Sequence, residues 1–326
     1  MSGFGFSTLA LVTAIGLSGP LLASIPKVGI PVVIGELMVG VLFGRTGFGV
    51  VDPSDPTFAL LANIGFALVM FVVGTHVPIR EATLRSSIPI AAARAVVVGA
   101  VATGLAIGLA TVFHTGHAAV YAVLMASSSA ALALPVIQQL GLGGAPVLAV
   151  TAQIAIADAT CIVLLPLVIN PHRAVSAAIG AVIISACAVV LFLALRAFDR
   201  RGLRKRLHRY SETNRFALEL RISLIVLFTL AAVAIGTRVS IMLAGFALGL
   251  VVKAAGEPHR LARQLFGITE GFFSPLFFVG LGASLQVREL GERPAFLLLG
   301  VGHGVAAVPA HCAARLTGQP LVLGAL

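Results

Sequence analysis

The chain has 326 residues, of which 59% are hydrophobic and only 10% are charged, and its formal net charge is +10. A soluble domain has about 25% charged residues, so this composition excludes that class and indicates a polytopic α-helical membrane protein. The basic residues lie in short loops between apolar segments, which is typical of membrane topology signals and not of nucleic-acid binding.

Eleven apolar segments of span length follow one another, and each is predicted to be a transmembrane helix. They cover residues 4–25, 28–48, 57–78, 86–113, 117–140, 145–169, 174–197, 216–236, 238–253, 267–287 and 294–317. The first resembles a signal peptide, but it has no basic N-terminal region, so we interpret it as a retained span. The sequence shows no nucleophile–base pair, phosphate-binding loop or metal-ligand cluster, so we expect neither an enzyme nor a cofactor.

Two isolated charges lie in the first half of the chain, Glu36 in the second span and Arg94 in the fourth. One interpretation is a buried ion pair between them that holds two helices in register. Ion ligation by Glu36 is the alternative. Arg94 is permanently charged and cannot relay protons, so we expect it to act electrostatically on a nearby carboxylate.

The fifth span carries three consecutive serines, Ser127, Ser128 and Ser129, followed by Pro135. Because proline removes a backbone donor, this pattern predicts a helix that is interrupted near its middle. Freed backbone groups are tolerated at that depth only where they line a cavity, and there they can face a cation. The alternative is a continuous helix whose serines bond to their own backbone.

The sixth span carries Asp158, with no other charged residue within a dozen positions on either side. An ionised carboxylate at bilayer depth costs roughly 2.5–3.5 kcal/mol or more, so such residues usually bind ions, relay protons or pair with a charge. Helical spacing places Thr151 and Cys161 on the same face. We predict that Thr151 solvates the carboxylate or helps to ligate a cation, and we interpret Cys161 as a small hydrophobe. The alternative for Asp158 is a structural ion pair with Arg94.

The densest basic cluster is Arg200–Arg209, and residues 198–215 are predicted to form a cytoplasmic linker. The loops on the same side carry most of the remaining Lys and Arg. We therefore expect a multi-pass protein of the cell membrane, the inner or plasma membrane, with its N-terminus outside. The alternative role of the cluster is binding of anionic lipid or a regulator.

Two regions of the sequence resemble each other. Pro31–Gly44 is echoed by Ile241–Val252, and Gly65–Gly74 is echoed by Gly271–Gly280. The two copies begin seven spans apart, and an odd spacing reverses their orientation in the membrane. This indicates inverted repeats, a construction of secondary transporters whose substrate site lies near the midplane.

The repeat predicts how the chain is organised as a single transporter domain over 1–326. The first repeat covers 28–170, and an incomplete second repeat covers 238–326. About 11 spans are present of an expected 13, which indicates a truncation at the C-terminus.

Two histidines, His303 and His311, lie within the eleventh span. Histidine titrates near neutral pH, so either residue is a candidate for sensing or relaying protons, and His303 is a candidate electrostatic partner of Asp158. The alternative is a hydrogen-bonded histidine that packs between helices.

Several motifs together resemble the monovalent cation:proton antiporter superfamily, and most closely its Kef-type and bacterial sodium/proton exchanger branch. They are Gly29–Gly44, Gly65–Gly74 followed by Thr75-His-Val-Pro, Ser127–Ser129 with Pro135, the Asp158 helix and Phe273–Gly282. The motifs occur in the family's order and cover nearly the whole chain. The resemblance implies a core domain, with spans four to six, that moves against a dimerisation domain containing spans two, three, nine and ten. It also implies a homodimer.

Two positions depart from the family pattern, and the family's second broken helix is absent from the sequence. Ala157 stands before the aspartate where members often have Asn, Asp or Gln, and the single acid favours electroneutral exchange. The eleventh span has no lysine to pair with the acid; Ala306 falls near that position, and His303 lies one turn away.

The predicted function is exchange of Na⁺ or K⁺ for protons, in which the two ions compete for Asp158. The three serines and Thr151 would complete the cation shell. The expected partners are monovalent cations, protons and membrane lipid, with no nucleic acid. The alternatives are a gated cation efflux system resembling a channel and a truncated fragment that does not transport.

Overall fold

The structure is a computed structural model, and it describes residues 5–25, 31–76, 82–128, 144–170, 172, 174–201, 210, 218–237, 239–256 and 265–320. All regular secondary structure within these ranges is helical, as the sequence predicts. The helices are α1 (Phe6–Gly16), α2 (Ser18–Ala23), α3 (Val32–Phe43), α4 (Pro56–His76), α5 (Ala82–Val112), α6 (Ala118–Ala126), α7 (Ala145–Ile169), α8 (Ala174–Arg200), α9 (Leu218–Gly236), α10 (Ile241–Ala255), α11 (Ser274–Ser284), α12 (Val287–Glu292) and α13 (Pro294–Cys312). A π-helical turn, Thr269–Phe273, leads into α11, and a 3₁₀ turn, Ala313–Thr317, follows α13.

Eight helical segments are long and apolar enough to cross a membrane, counted over the described ranges. Two further apolar helices, α3 and α10, are shorter, with 12 and 15 residues. At 1.5 Å per residue, α3 is about 18 Å long, less than the ~30 Å of a hydrocarbon core. It ends before the predicted boundary at 48 because Gly44 leaves the helical conformation and packs directly on Ala283.

The helices pack in two groups. The scaffold group consists of α1–α4, α10 and α11, with α8 and α9 along α10. The site group consists of α5, α6, α7 and α13, with the 3₁₀ turn against α5. This grouping separates Glu36, in the scaffold group, from Arg94, in the site group.

Close glycine contacts join the scaffold helices in the same way at two interfaces. Gly74 of α4 meets Gly249 of α10, and Gly40 of α3 meets Gly282 of α11. A Cβ on any of the four would strike a carbonyl oxygen three residues before the facing glycine. These oxygens belong to Phe246, Phe71, Val279 and Leu37. Small residues allow membrane helices to approach so closely, and each interface joins a helix from one half of the chain to a helix from the other.

The apolar core differs between the two groups. In the scaffold group, large side chains such as Phe71, Leu227 and Leu248 are buried between α4, α9 and α10. In the site group, the buried cluster consists of Ala102 of α5, Met125 of α6 and Ala310 of α13. The small residues of this second cluster bring α13 close to the C-terminal end of α6.

Candidate functional site

Helix α6 ends in the middle of the predicted fifth span. Its last residue is Ala126, and Ser127 has an extended backbone, with φ −71° and ψ 149°. Ser128 is also outside the helix. The predicted interruption is thus confirmed at the serines, while Ser129 and Pro135 lie outside the described residues.

The interrupted end of α6 meets the face of α7 that carries Asp158. The thiol of Cys161, one turn after Asp158, lies within hydrogen-bonding reach of the Ser127 side chain. It is also close enough to the Asp158 carboxyl group to interact with it electrostatically. Asp158 is half-buried, on a helix that runs unbroken from Ala145 to Ile169. The end of α6 at Ser127 and the Asp158 face of α7 are therefore neighbours at Cys161, a residue that its apolar surroundings alone predict to be a small hydrophobe.

Thr151 lies two turns before Asp158 on the same helix. Seven residues of α-helix correspond to about 10.5 Å along the axis, which is too far for both side chains to ligate one cation. The Thr151 hydroxyl donates to the Val147 carbonyl of its own helix, over 2.9 Å. Thr151 therefore stands outside a shell centred on Asp158 in this conformation.

The interpretation of Glu36 and Arg94 as an ion pair is wrong. Arg94 is 6% exposed, and its Nε donates to the Thr317 hydroxyl in the 3₁₀ turn after α13, over 3.3 Å. Glu36 is 1% exposed and lies beside Ser274 and Glu270, near the start of α11. Opposite charges in apolar helices suggested pairing, but the two residues belong to different helix groups.

The two histidines of α13 have different surroundings. The ring of His303 packs edge-on against Tyr121, with centroids 6.0 Å apart, in the first half of α6. The Nε2 atom of His311 lies 3.1 Å from the Met125 carbonyl oxygen, at the end of α6. Both histidines therefore contact α6, but His311, and not His303, lies at its C-terminal end, where the helix stops.

The loop between α3 and α4 carries charges that lie away from this site. The hydroxyl and backbone N–H of Ser54 donate to Asp52, and they hold the pKa of its carboxyl group below the usual value. Arg45 lies 3.8 Å from the same carboxylate. Asp52 is thus a charged, solvated aspartate.

Comparisons with known proteins agree with this architecture. The family model described as "Sodium/hydrogen exchanger, transmembrane" matches residues 10–319. The solved structure of the sodium proton antiporter MjNhaP1 from Methanocaldococcus jannaschii has the same fold, with a TM-score of 0.66 at 16% identity. The match covers 95% of this chain and 79% of that structure.

Curated relatives extend the comparison. The Na⁺/H⁺ antiporter NhaS5 of Synechocystis is 28% identical over 300 residues, covering 90% of this chain and 40% of the relative. The Na⁺/H⁺-K⁺ antiporter GerN of Bacillus cereus is 22% identical over 299 residues, and the match covers 90% of this chain and 75% of GerN. This chain therefore spans less than half the length of NhaS5 and three quarters of GerN. With the family model matching nearly its whole length, the chain belongs to the transmembrane sodium/hydrogen exchanger family.

Proposed function

We propose that this protein exchanges a monovalent cation, Na⁺ or K⁺, for protons across the membrane, and that both ions bind at Asp158. The family and the antiporters NhaS5 and GerN support cation:proton exchange as the activity. The observation that carries the choice of site is the meeting of the interrupted end of α6 with the Asp158 face of α7.

The end of α6 favours a cation near Asp158. The last four carbonyl groups of an α-helix lack partners within the helix, and they carry the negative end of its dipole. The Ser127 hydroxyl donates its proton to the Leu124 carbonyl, so its oxygen lone pairs stay available to a ligand. We infer that a dehydrated cation binds between the Asp158 carboxylate and oxygen atoms of Ser127 and Ser128, with Ser129 as a further candidate ligand.

Exchange follows from competition at one carboxyl group. Protonated Asp158 is neutral and costs little to bury, whereas an ionised carboxylate with no cation bound is costly in a low-dielectric interior. The site then crosses the membrane barrier only with a proton or a cation bound. One acid exchanging one proton for one cation makes the cycle electroneutral.

Movement, assembly and topology are parts of the same proposal. We propose that the site group moves against the scaffold group, and that the scaffold group forms a homodimer. The matched glycine contacts at Gly74/Gly249 and Gly40/Gly282 support inverted repeats over 28–170 and 238–326. The exposed Arg200 and Arg201 at the end of α8 support a cytoplasmic basic linker.

The test is cation flux driven by a pH gradient in proteoliposomes. Asp158→Asn removes the titrating group while retaining the side chain's size, so we expect flux to fall to the level of empty liposomes. Asp52→Asn is the matched control, because it makes the same change in a solvated loop, and it should retain wild-type flux. Flux retained in Asp158→Asn would refute the assignment of the site, and large currents without proton dependence would indicate a channel instead.

A further inference from the structure

Three carbonyl groups at the C-terminal end of α6 accept hydrogen bonds, two from within the same segment and one from another helix. The Val123 carbonyl accepts the backbone N–H of Ser127, over 3.0 Å, and the Leu124 carbonyl accepts its hydroxyl, over 2.7 Å. Both bonds are local and form wherever α6 ends in this conformation. The Met125 carbonyl differs, because its partner is a side chain of another helix, His311 of α13.

The chemistry of this third bond fixes its direction. A carbonyl oxygen only accepts, so Nε2 of His311 carries the proton and donates it to Met125. The Ser127 backbone also lies within reach of the same imidazole. One side chain thus spans the point where the helix stops and the extended segment begins.

The bond lies in a closely packed part of the site group. Met125 is 0% exposed and packs with Ala102 of α5 and Ala310 of α13, the residue before His311. Water cannot easily replace the donor at such a position, so the loss of this bond would leave a buried carbonyl unsatisfied. The bonds of Ser127 to Val123 and Leu124 lie within one segment, so they do not connect the end of α6 to α13 when the His311 bond is lost.

We propose that His311 is a positioning residue of the exchange site: its Nε2–H holds the Met125 carbonyl and thereby sets where Ser127 lies relative to Cys161 and Asp158. The inference rests on the proposed function of Asp158. In this role His311 acts through the end of α6. His311 provides a fixed hydrogen-bond donor, and an N–H donor of similar length that does not titrate can replace it.

The experiment compares variants with and without a donor at this position. His311→Leu has a similar volume but no donor, and His311→Gln retains an N–H. We expect His311→Leu to raise the KM for the cation by roughly 5- to 100-fold, the equivalent of one buried hydrogen bond, and His311→Gln to restore most of the loss. His117→Ala is the control, because His117 precedes α6 at its other end and makes no capping bond there; its KM should stay at the wild-type value.

A second readout does not depend on transport. In a Cys187→Ala, Cys312→Ala, Asp158→Asn background, Cys161 is the single remaining cysteine and reports on its contact with Ser127. The rate of Cys161 modification by a small thiol reagent should change at least about threefold in His311→Leu and return in His311→Gln. Because this background carries no Asp158 carboxylate, the readout decides the role of His311 even if Asp158→Asn retains flux.

Two results would overturn the proposal. One is a His311→Leu variant that matches His117→Ala in both KM and labelling rate. The other is a His311→Gln variant as impaired as His311→Leu, which would show that the imidazole acts by its shape or charge and not by its donor. If His311→Leu fails to elute as a folded species from size-exclusion chromatography, His311→Ala provides the donor-free measurement, and His311→Gln must still match wild type.

Discussion

At the residue scale, three side-chain contacts connect different elements of the site group. Arg94 donates to Thr317, His311 to Met125, and Ser127 meets Cys161. Each of these contacts joins two different elements of the site group. These contacts therefore hold the helices of the site group in register.

The Arg94–Thr317 bond gives a stability prediction. Hydrogen bonds to charged groups contribute about 1.5–3 kcal/mol, and the buried Arg94 would lose its Nε acceptor in Thr317→Val. We expect this variant to lower the free energy of unfolding by that amount, measured by thermal unfolding in detergent. Thr103→Val is the control, since the Thr103 hydroxyl bonds only to Gly99 of its own helix. Equal unfolding midpoints for the two variants would mean that the bond has no energetic role.

The solvated aspartate gives a pH prediction of known sign. The hydrogen bonds from Ser54 lower the pKa of Asp52 in the folded protein. They therefore stabilise the fold at pH values above the unfolded pKa of about 3.9, and this stabilisation is lost as the pH falls through the folded pKa. In Ser54→Ala the pKa of Asp52 should rise toward its usual value. NMR titration of the aspartate carboxyl carbons tests this, and an unchanged Asp52 titration would contradict it.

Part of the site was predictable from single residues. Asp158 and the serines stand out because a charge and a run of hydroxyls are costly or disruptive in an apolar span. The neighbours of Cys161 and His311 were not predictable because they depend on which helices pack together: His311 meets Met125 from 186 positions further along the chain. A hydrogen-bonded histidine between helices was one of the two interpretations of His311, but its partner could not be named. The wrong Glu36–Arg94 pair has the same origin, since sequence shows two opposite charges but not which helices are neighbours.

At the element scale, close glycine contacts determine how near the scaffold helices lie. Gly249 of α10 has Phe71 and Gly74 of α4 directly in the path of a Cβ. Any side chain there forces the two helices apart along their whole interface. The scaffold group is thus held together by close backbone packing as well as by large apolar side chains.

Gly249→Ala tests this packing. We expect it to destabilise the protein by about 1–3 kcal/mol, because the methyl group meets a main-chain carbonyl that cannot move alone. Gly104→Ala in α5 has open space around its Cβ position, so it should be neutral or stabilising by up to about 1 kcal/mol from helix propensity. Unfolding midpoints in detergent compare the two, and a neutral Gly249→Ala would show that α4 and α10 tolerate separation.

Some helix ends could be predicted from the sequence and others could not. The end of α6 follows from the serines, whereas the π-helical turn at Thr269–Phe273 has no clear sequence signal. At the end of α3, Gly44 is followed by Arg45 and Thr46, a stop signal that the predicted boundary at 48 passed over because apolar residues resume at Phe48. What ends or distorts these helices is contact with neighbours, such as Ala283 against Gly44.

At the scale of the whole molecule, the two helix groups differ in their packing and in their polar residues. The scaffold group contains the large apolar core and the matched glycine interfaces, and the site group contains Asp158 and the interrupted α6. The membrane class follows from composition. Which helices join which group does not, because it depends on long-range packing that no local pattern specifies.

Competition of two ions for one carboxyl group predicts that cation binding displaces a proton. The most direct measurement is proton release from the purified protein in weakly buffered detergent solution when Na⁺ or K⁺ is added. We predict release of about one proton per bound cation from the wild type, none from Asp158→Asn, and none on addition of choline. Equal proton release from Asp158→Asn and the wild type would contradict the central claim that this aspartate binds both ions.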